Sequence, residues 1–230
     1  MNLCWHCGSR LFDPLRRLRR RSAWLLLAAA AAAPLDFSHA ATAARPPATI
    51  LVLGDSLSAE YGLPRNSGWV ALLAARLASQ AAQYSVVNAS ISGDTTSGGL
   101  ARVDGLLARH HPAITIIELG ANDGLRGLRI DAMQSNLQRM IDRCRASGAR
   151  VLLVGMHLPP NYGPDYETRF HAAFADLARR NRLAFAPFLL EGFADRLDMF
   201  QPDRIHPLPQ AEPQMLENVW RPLQPMLQGR

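Results

Sequence analysis

The sequence predicts an α/β protein built as a three-layer α/β/α sandwich around one sheet. Short apolar runs recur along the chain, as expected for strands that are covered on both faces in a parallel sheet. Amphipathic stretches separate these runs, and strands that alternate with helices form right-handed βαβ units. Polar residues follow several of the runs directly, at the carboxyl ends of the strands, where open α/β sheets place their binding sites.

Five apolar runs are the predicted strands. They occupy residues 49–53, 84–88, 113–119, 151–154 and 183–186. The predicted helices cover residues 69–78, 99–109, 132–147, 166–181 and 210–227. We expect Pro213 and Pro222 to interrupt the last helix, because proline lacks the N–H that a helix interior needs. One domain is therefore predicted over residues 49–230, with a short linker at 41–48.

Residues 1–40 have the order of a cleaved secretory signal peptide. An arginine-rich segment at 16–21 precedes an apolar run at 22–33, and small residues follow at 38–43. Cleavage after Ala40 fits this pattern, and cleavage after Ala43 fits as well. The apolar run is too short to span a bilayer as a stable helix. We therefore expect a periplasmic or secreted protein that keeps no stable membrane anchor after cleavage.

The net charge of +6 and the pI near 10.0 suggest a polyanionic partner, but the distribution of charge argues against one. All 25 basic residues are arginine, and six of them precede residue 41 together with two acids. Residues 41–230 carry a net charge of only +2. No nucleic-acid partner is therefore expected, since such binding depends on many phosphate contacts.

The cysteines predict neither a disulfide nor a metal site. Cys4 and Cys7 have the spacing of half a zinc site, but a structural zinc ion needs four ligands and both residues lie in the predicted signal peptide. Cys144 is then the one remaining cysteine, so no internal disulfide can form. Its position on a helical apolar pattern predicts a buried, inert thiol. We expect no metal and no other cofactor.

A serine, a histidine and an aspartate occupy positions suited to nucleophilic catalysis. Ser56 directly follows the first predicted strand, and Asp203 and His206 lie together near the C-terminus. A serine hydroxyl needs an adjacent base at neutral pH, and the base needs an acid that orients it. The pattern predicts Ser56 as nucleophile at the start of a helix, His206 as general base and Asp203 as its orienting acid.

Three groups are candidate donors to the oxyanion that develops when a carbonyl is attacked. They are the backbone N–H of Ser56, the backbone N–H of Gly93 after the second strand, and the side-chain amide of Asn122 after the third. Asp55 and Asp94 are both aspartates, a residue type that can bind a metal ion as a pair. We instead expect them to accept hydrogen bonds from loop backbone and to hold Ser56 and Gly93 in place.

The blocks that contain these residues resemble the SGNH (GDSL-type) hydrolases. The blocks are 54–59, 87–95, 118–127, 158–163 and 205–207, and their order and spacing match over most of residues 49–207. Within that family, the chain is most similar to bacterial periplasmic thioesterases, lysophospholipases and arylesterases. The resemblance implies the same triad and oxyanion donors, a flavodoxin-like sheet of five parallel strands, and no metal cofactor.

We therefore expect a monomeric serine esterase or thioesterase that hydrolyses small-molecule acyl esters or thioesters. Segments 158–170 and 125–130 are the predicted walls of an apolar groove for the acyl chain. The residues expected to bind substrate are Leu158, Pro159, Tyr162 and Ile205. Three residues depart from the family pattern, one of which is Ala121, a small residue that should still fit where a glycine is frequent. Glu60, one helical turn after Ser56, is expected to disfavour anionic substrates, and Arg204 is expected to line the mouth of the site.

Two further functions are compatible with parts of this pattern. A carbohydrate O-deacetylase or an acyltransferase would use the same triad, so the catalytic residues do not separate these activities. A non-catalytic flavodoxin-like module that binds a nucleotide is a more distant alternative. The chain contains no Gly-rich phosphate loop of the Walker or Rossmann type, which argues against this module.

Overall fold

One sheet of five parallel strands organises the protein. The computed structural model describes residues 46–228, so the predicted signal peptide at 1–40 lies outside the described residues. The strands are β1 (Ala48–Gly54), β2 (Tyr84–Asn88), β3 (Ile114–Glu118), β4 (Arg150–Val154) and β5 (Ala184–Ala186). Their order is β2-β1-β3-β4-β5, with every neighbouring pair parallel. The predicted α/β fold with a flavodoxin-like sheet is confirmed.

Helices cover both faces of this sheet. Within residues 46–228 they are α1 (Trp69–Gln80), α2 (Thr96–His110), α3 (Ala121–Leu125), α4 (Ile130–Ala146), α5 (Pro164–Asn181) and α6 (Glu212–Gln228). Helix α1 packs against α6, whereas α4 packs against both α2 and α5, which gives the two outer layers of the sandwich. In this part of the chain, no helix combines the length and the apolar character needed to cross a membrane.

The strands are apolar because most of their side chains are buried between these layers. All five residues of β3 are buried, and Ile50 and Leu53 of β1 are fully buried. Such continuous apolar runs are typical of strands with both faces covered. Cys144 of α4 lies in the same core, as predicted, and burial raises the pKa of its thiol to about 11.

The predicted interruption of the last helix is wrong, because α6 continues through Pro222 and Pro225. Pro213 lies in the first turn, where a missing N–H costs no intrahelical bond. Leu223 and Leu227 are buried on the inner face of the helix. Tertiary packing of this face therefore stabilises a helix that the two interior prolines weaken.

A buried carboxylate joins the last helix to the first. The Oε2 atom of Glu212, at the start of α6, accepts a hydrogen bond from the backbone N–H of Trp69 at 2.7 Å. Trp69 is the first residue of α1, where backbone N–H groups have no partner inside the helix. Burial raises the pKa of Glu212 to about 7, although the Trp69 hydrogen bond opposes the shift.

Glu212 should make the stability of the fold depend on pH. A carboxyl whose pKa is raised on folding from 4.5 to about 7 contributes most below pH 4.5, and this contribution is lost as the pH rises through 7. We therefore expect Glu212→Gln, which keeps the acceptor oxygen, to gain stability relative to wild type as the pH rises from 4.5 to 8. The gain should be at most about 3 kcal/mol.

Urea unfolding of both proteins at pH 4.5, 6 and 8 measures this difference. Asp176→Asn is a suitable control, because Asp176 lies on the surface of α5 and pairs with Arg179. A difference between Glu212→Gln and wild type that stays constant with pH would contradict the assignment.

Candidate active site

The candidate catalytic residues lie at one edge of the sheet. Ser56 follows β1, Gly93 follows β2 and Asn122 lies in α3, directly after β3. Asp203 and His206 lie in the connection between β5 and α6. Because parallel strands all end at the same edge, and β1 lies between β2 and β3, these loops are brought together.

Ser56, His206 and Asp203 form a continuous hydrogen-bonded chain. The His206 Nε2 atom lies 2.9 Å from Ser56 Oγ, and the His206 Nδ1 atom lies 2.7 Å from Asp203 Oδ2. Asp203 Oδ1 also accepts hydrogen bonds from the backbone N–H groups of Ile205 and His206, each at 3.0 Å. The carboxylate therefore fixes both the loop and the orientation of the imidazole.

The charge on Asp203 is stabilised by the same contacts. Partial burial raises the pKa of this carboxyl, but hydrogen bonds from the His206 ring and from two backbone amides outweigh that effect. The net result is a pKa below the ordinary value of 3.8. An ionised Asp203 can hold the histidine tautomer whose Nε2 atom is free to accept the proton of Ser56.

A tyrosine that sequence reasoning missed packs against the histidine. The ring of Tyr61 lies 4.3 Å from the ring of His206, measured between centroids. Gln201 joins the two loops, since its Nε2 atom donates to the carbonyl oxygens of Tyr61 at 2.9 Å and Pro207 at 3.1 Å. Tyr61 is five residues after Ser56, and no local motif in the sequence marks its contact with a loop 140 residues away.

Ser56 does not begin a helix, contrary to the prediction. It lies in a series of turns between β1 and α1, in which the N–H of Ala59 donates to the carbonyl of Asp55 at 2.9 Å. Glu60, which is expected to lie near the nucleophile, has a φ of 60°. Its carboxylate accepts hydrogen bonds from the backbone N–H groups of Asn66 and Gly68, each at 2.9 Å, so it stabilises this loop instead.

Asp55 orients the amide of Asn122. Its Oδ2 atom accepts a hydrogen bond from Asn122 Nδ2 at 3.1 Å, and its Oδ1 atom accepts one from the N–H of Leu57 at 3.0 Å. Asp55 is 1% exposed, and burial raises the pKa of its carboxyl group to about 7. Asp55 thus holds loop backbone as expected, and it also leaves the second N–H of the Asn122 amide available to an oxyanion.

A second buried carboxyl group bonds the loop that contains the nucleophile. Glu118, the last residue of β3, accepts a hydrogen bond from Ser58 Oγ at 2.6 Å and one from the N–H of Asp55 at 3.3 Å, both through Oε2. Burial, followed by the nearby charge of Asp55, raises the pKa of Glu118 well above its ordinary value. Sequence reasoning treated Glu118 only as part of a strand and missed this role.

The Gly93 loop is held by two further side chains that the sequence analysis missed. Asp123 accepts hydrogen bonds from Thr96 N at 2.8 Å and Thr96 Oγ1 at 2.6 Å, which joins α3 to the start of α2. Arg102 of α2 bonds Asp94 through Nε at 2.9 Å and also donates to the carbonyl of Ala89. Gly93 itself has a φ of 77°, a conformation that favours glycine.

A cavity of about 780 Å³ opens beside the triad. Its wall contains all of the predicted substrate-binding residues, which are Leu158, Pro159, Tyr162 and Ile205. Leu125 of the second predicted wall lines it as well, and Arg204 lies at the cavity, as expected. His157, on the same wall, bonds Glu167 and stacks on the ring of His171, with 3.6 Å between the ring centroids.

The amino-acid sequence matches a known family over most of this site. The model of the GDSL-like lipase/acylhydrolase family matches residues 52–211. The chain belongs to this family. The match confirms the resemblance that the sequence blocks indicate, and the family is one of ester hydrolases. Within residues 46–228, no group of three or more His, Cys, Asp or Glu side chains is arranged to hold a metal ion.

Individual members of the family are similar along most of their length. Esterase TesA of Pseudomonas aeruginosa is 52% identical over 179 residues, which make up 78% of this chain and 89% of TesA. Thioesterase 1/protease 1/lysophospholipase L1 of Escherichia coli K12 is 40% identical over 179 residues, 78% of this chain and 85% of that protein. The crystal structure of the psychrotrophic esterase EstA from Pseudoalteromonas sp. has a TM-score of 0.73 and 38% identity, and covers 78% of this chain and 98% of EstA.

The contact between Asp55 and Asn122 can be tested with Asp55→Asn. The change preserves shape but replaces one of two acceptor oxygens with a donor, so the variant cannot satisfy both Asn122 and Leu57. We expect kcat to fall by about 10- to 100-fold, which is less than the loss of a whole oxyanion donor. Glu212→Gln is the matched control, since Glu212 is also a buried carboxyl but bonds α1. Equal kcat values for the two variants would contradict the role of Asp55.

Proposed function

We propose that the protein is a serine esterase and thioesterase that hydrolyses carboxylic esters and acyl thioesters through an acyl-enzyme. The observation that carries this proposal is the hydrogen-bonded chain from Ser56 through His206 to Asp203, which lies beside the apolar cavity. Membership of the GDSL-like lipase/acylhydrolase family supports the same chemistry. The relatives named as an esterase and as a thioesterase support both bond types.

In the proposed mechanism, Ser56 Oγ attacks the carbonyl carbon while His206 Nε2 accepts the hydroxyl proton. The backbone N–H groups of Ser56 and Gly93 and the amide of Asn122 donate to the oxyanion of the tetrahedral intermediate. The alcohol or thiol then leaves with the proton from His206. A water molecule gives its proton to His206, attacks the acyl-enzyme and releases the carboxylic acid.

The cavity supports a substrate with an apolar acyl chain. Leu158 and Pro159 line one side and Ile205 lies close to the triad, so a chain attached to the attacked carbonyl can be buried against them. A carbohydrate O-deacetylase would need polar partners for a sugar, whereas most of the residues that line this cavity are apolar, which favours the acyl chain. An acyltransferase would use the same geometry, and product analysis with an alcohol acceptor present distinguishes transfer from hydrolysis.

We further propose that the hydrolase domain, residues 49–230, acts as an exported monomer. The support is the order of arginine-rich, apolar and small-residue segments within residues 1–43. N-terminal sequencing of the protein recovered from a cell envelope fraction tests the cleavage after Ala40 or Ala43. Sedimentation of the recovered protein tests the oligomeric state.

Replacement of the nucleophile should abolish hydrolysis. We expect Ser56→Ala and His206→Ala each to lower kcat for p-nitrophenyl butyrate by at least about 10⁴-fold, because members of a triad act as a unit. His110→Ala is the control for histidine replacement, since His110 ends α2 at the opposite edge of the sheet. Hydrolysis by Ser56→Ala at the wild-type rate would refute the proposal.

A change in the cavity wall should alter the preference for chain length. Leu158→Ser places a hydroxyl against the proposed acyl site, so the ratio of kcat/KM for dodecanoyl over acetyl esters should fall about 10-fold or more. Leu128→Ser is the matched control, because Leu128 is exposed and does not line the cavity. If the two variants have the same chain-length profile, this wall does not bind the acyl chain.

A further inference from the structure

An exposed arginine connects the two loops that supply oxyanion donors. Arg126 follows α3 directly, four residues after Asn122. Its Nη2 atom donates a hydrogen bond to the carbonyl oxygen of Gly93 at 2.9 Å. Within residues 46–228, no carboxylate forms an ion pair with Arg126. A surface salt bridge therefore does not account for the position of its guanidinium.

The turn around Gly93 is closed by the N–H of Asp94, which donates to the carbonyl of Ile91 at 3.1 Å, and Arg126 holds the carbonyl of Gly93 itself. A glycine with a φ of 77° has no side chain to limit its rotation, yet its N–H must point at the developing oxyanion. The side chains of Arg102 and Asp123 hold the neighbouring residues Asp94 and Thr96. A Cβ atom on Gly93 would lie 3.7 Å from Arg126 Nη2, so the guanidinium covers that face of the glycine.

The backbone that carries Arg126 is itself held in place. The N–H of Arg126 donates to the carbonyl of Asn122 at 3.2 Å. Tyr162 Oη donates to the carbonyl of Leu125 at 2.8 Å, and Tyr166 Oη donates to that of Leu128 at 2.7 Å. The guanidinium therefore extends from a fixed base next to one oxyanion donor to the residue that supplies another.

We propose that Arg126 is a positioning residue, which holds the N–H of Gly93 at the distance from the Asn122 amide that the tetrahedral oxyanion requires. The proposal rests on the hydrolase function of the site. The oxyanion forms only after attack, so Arg126 contributes to the transition state and not to substrate binding. Loss of Arg126 should therefore lower kcat. The factor should be the same for a substrate that is uncharged and for one whose leaving group carries negative charge before the bond is cleaved.

The test compares Arg126→Met with Arg129→Met. Arg129 lies on the same loop and is also exposed, but it does not line the cavity. Among residues 46–228, its guanidinium bonds Asp131, two residues away, and not Gly93. The substrates are p-nitrophenyl octanoate and octanoyl-CoA, which share an acyl chain and differ in the charge of the leaving group. We expect Arg126→Met to lower kcat about 10- to 30-fold on both substrates, with KM changed less than about 3-fold and Tm unchanged. Arg129→Met should match wild type.

Three results would overturn the proposal. Equal kcat values for the Arg126 and Arg129 variants would show that the bond to Gly93 has no role in positioning. A rise in KM for octanoyl-CoA alone would assign Arg126 to binding of the anionic leaving group. A fall in Tm that parallels the fall in activity would assign it to the stability of the fold. Failure of the proposed function is a separate result, because wild type would then be no more active than Ser56→Ala.

Discussion

The position of β1 between β2 and β3 is the constraint on which the site depends. The chain leaves β1 to form a strand on one side and later returns to form a strand on the other. The loops after these three strands are therefore adjacent, and each supplies one of the groups proposed to hold the oxyanion. A crevice at such a switch in strand order is where open α/β sheets bind ligands. The triad is completed by a loop that comes from the far end of the sheet, after β5.

Buried polar groups join the loops of the site. Asp55 and Glu118 are only 1% and 3% exposed, and each carboxyl accepts at least two hydrogen bonds. Burial of carboxyl groups is costly, and hydrogen bonds offset only part of that cost. The raised pKa values of both groups express this remaining cost. The protein thus gives up some stability at neutral pH to hold its proposed oxyanion donors in a fixed geometry.

Much of the site can be read from local patterns in the sequence. Each apolar run identifies a strand, and the polar residues that directly follow it must lie at the carboxyl edge of the sheet. Ser56, Gly93 and Asn122 are found in this way, because each lies within a few residues of a strand end. Asp203 and His206 are close enough in sequence to recognise as a pair. The same patterns predict the wall of the cavity from the segment that follows β4.

Contacts between distant segments are not encoded in any local pattern. The bonds from Ser58 to Glu118 and from Thr96 to Asp123 join residues that are separated by 60 and 27 positions, respectively. The continuity of α6 through its prolines likewise depends on the face that packs against the core. Hydrophobic periodicity and the residues at strand ends specify the fold and the candidate catalytic groups, since they act over a few residues. Which side chains hold those groups in place depends on how the loops pack, and packing exists only in the folded chain.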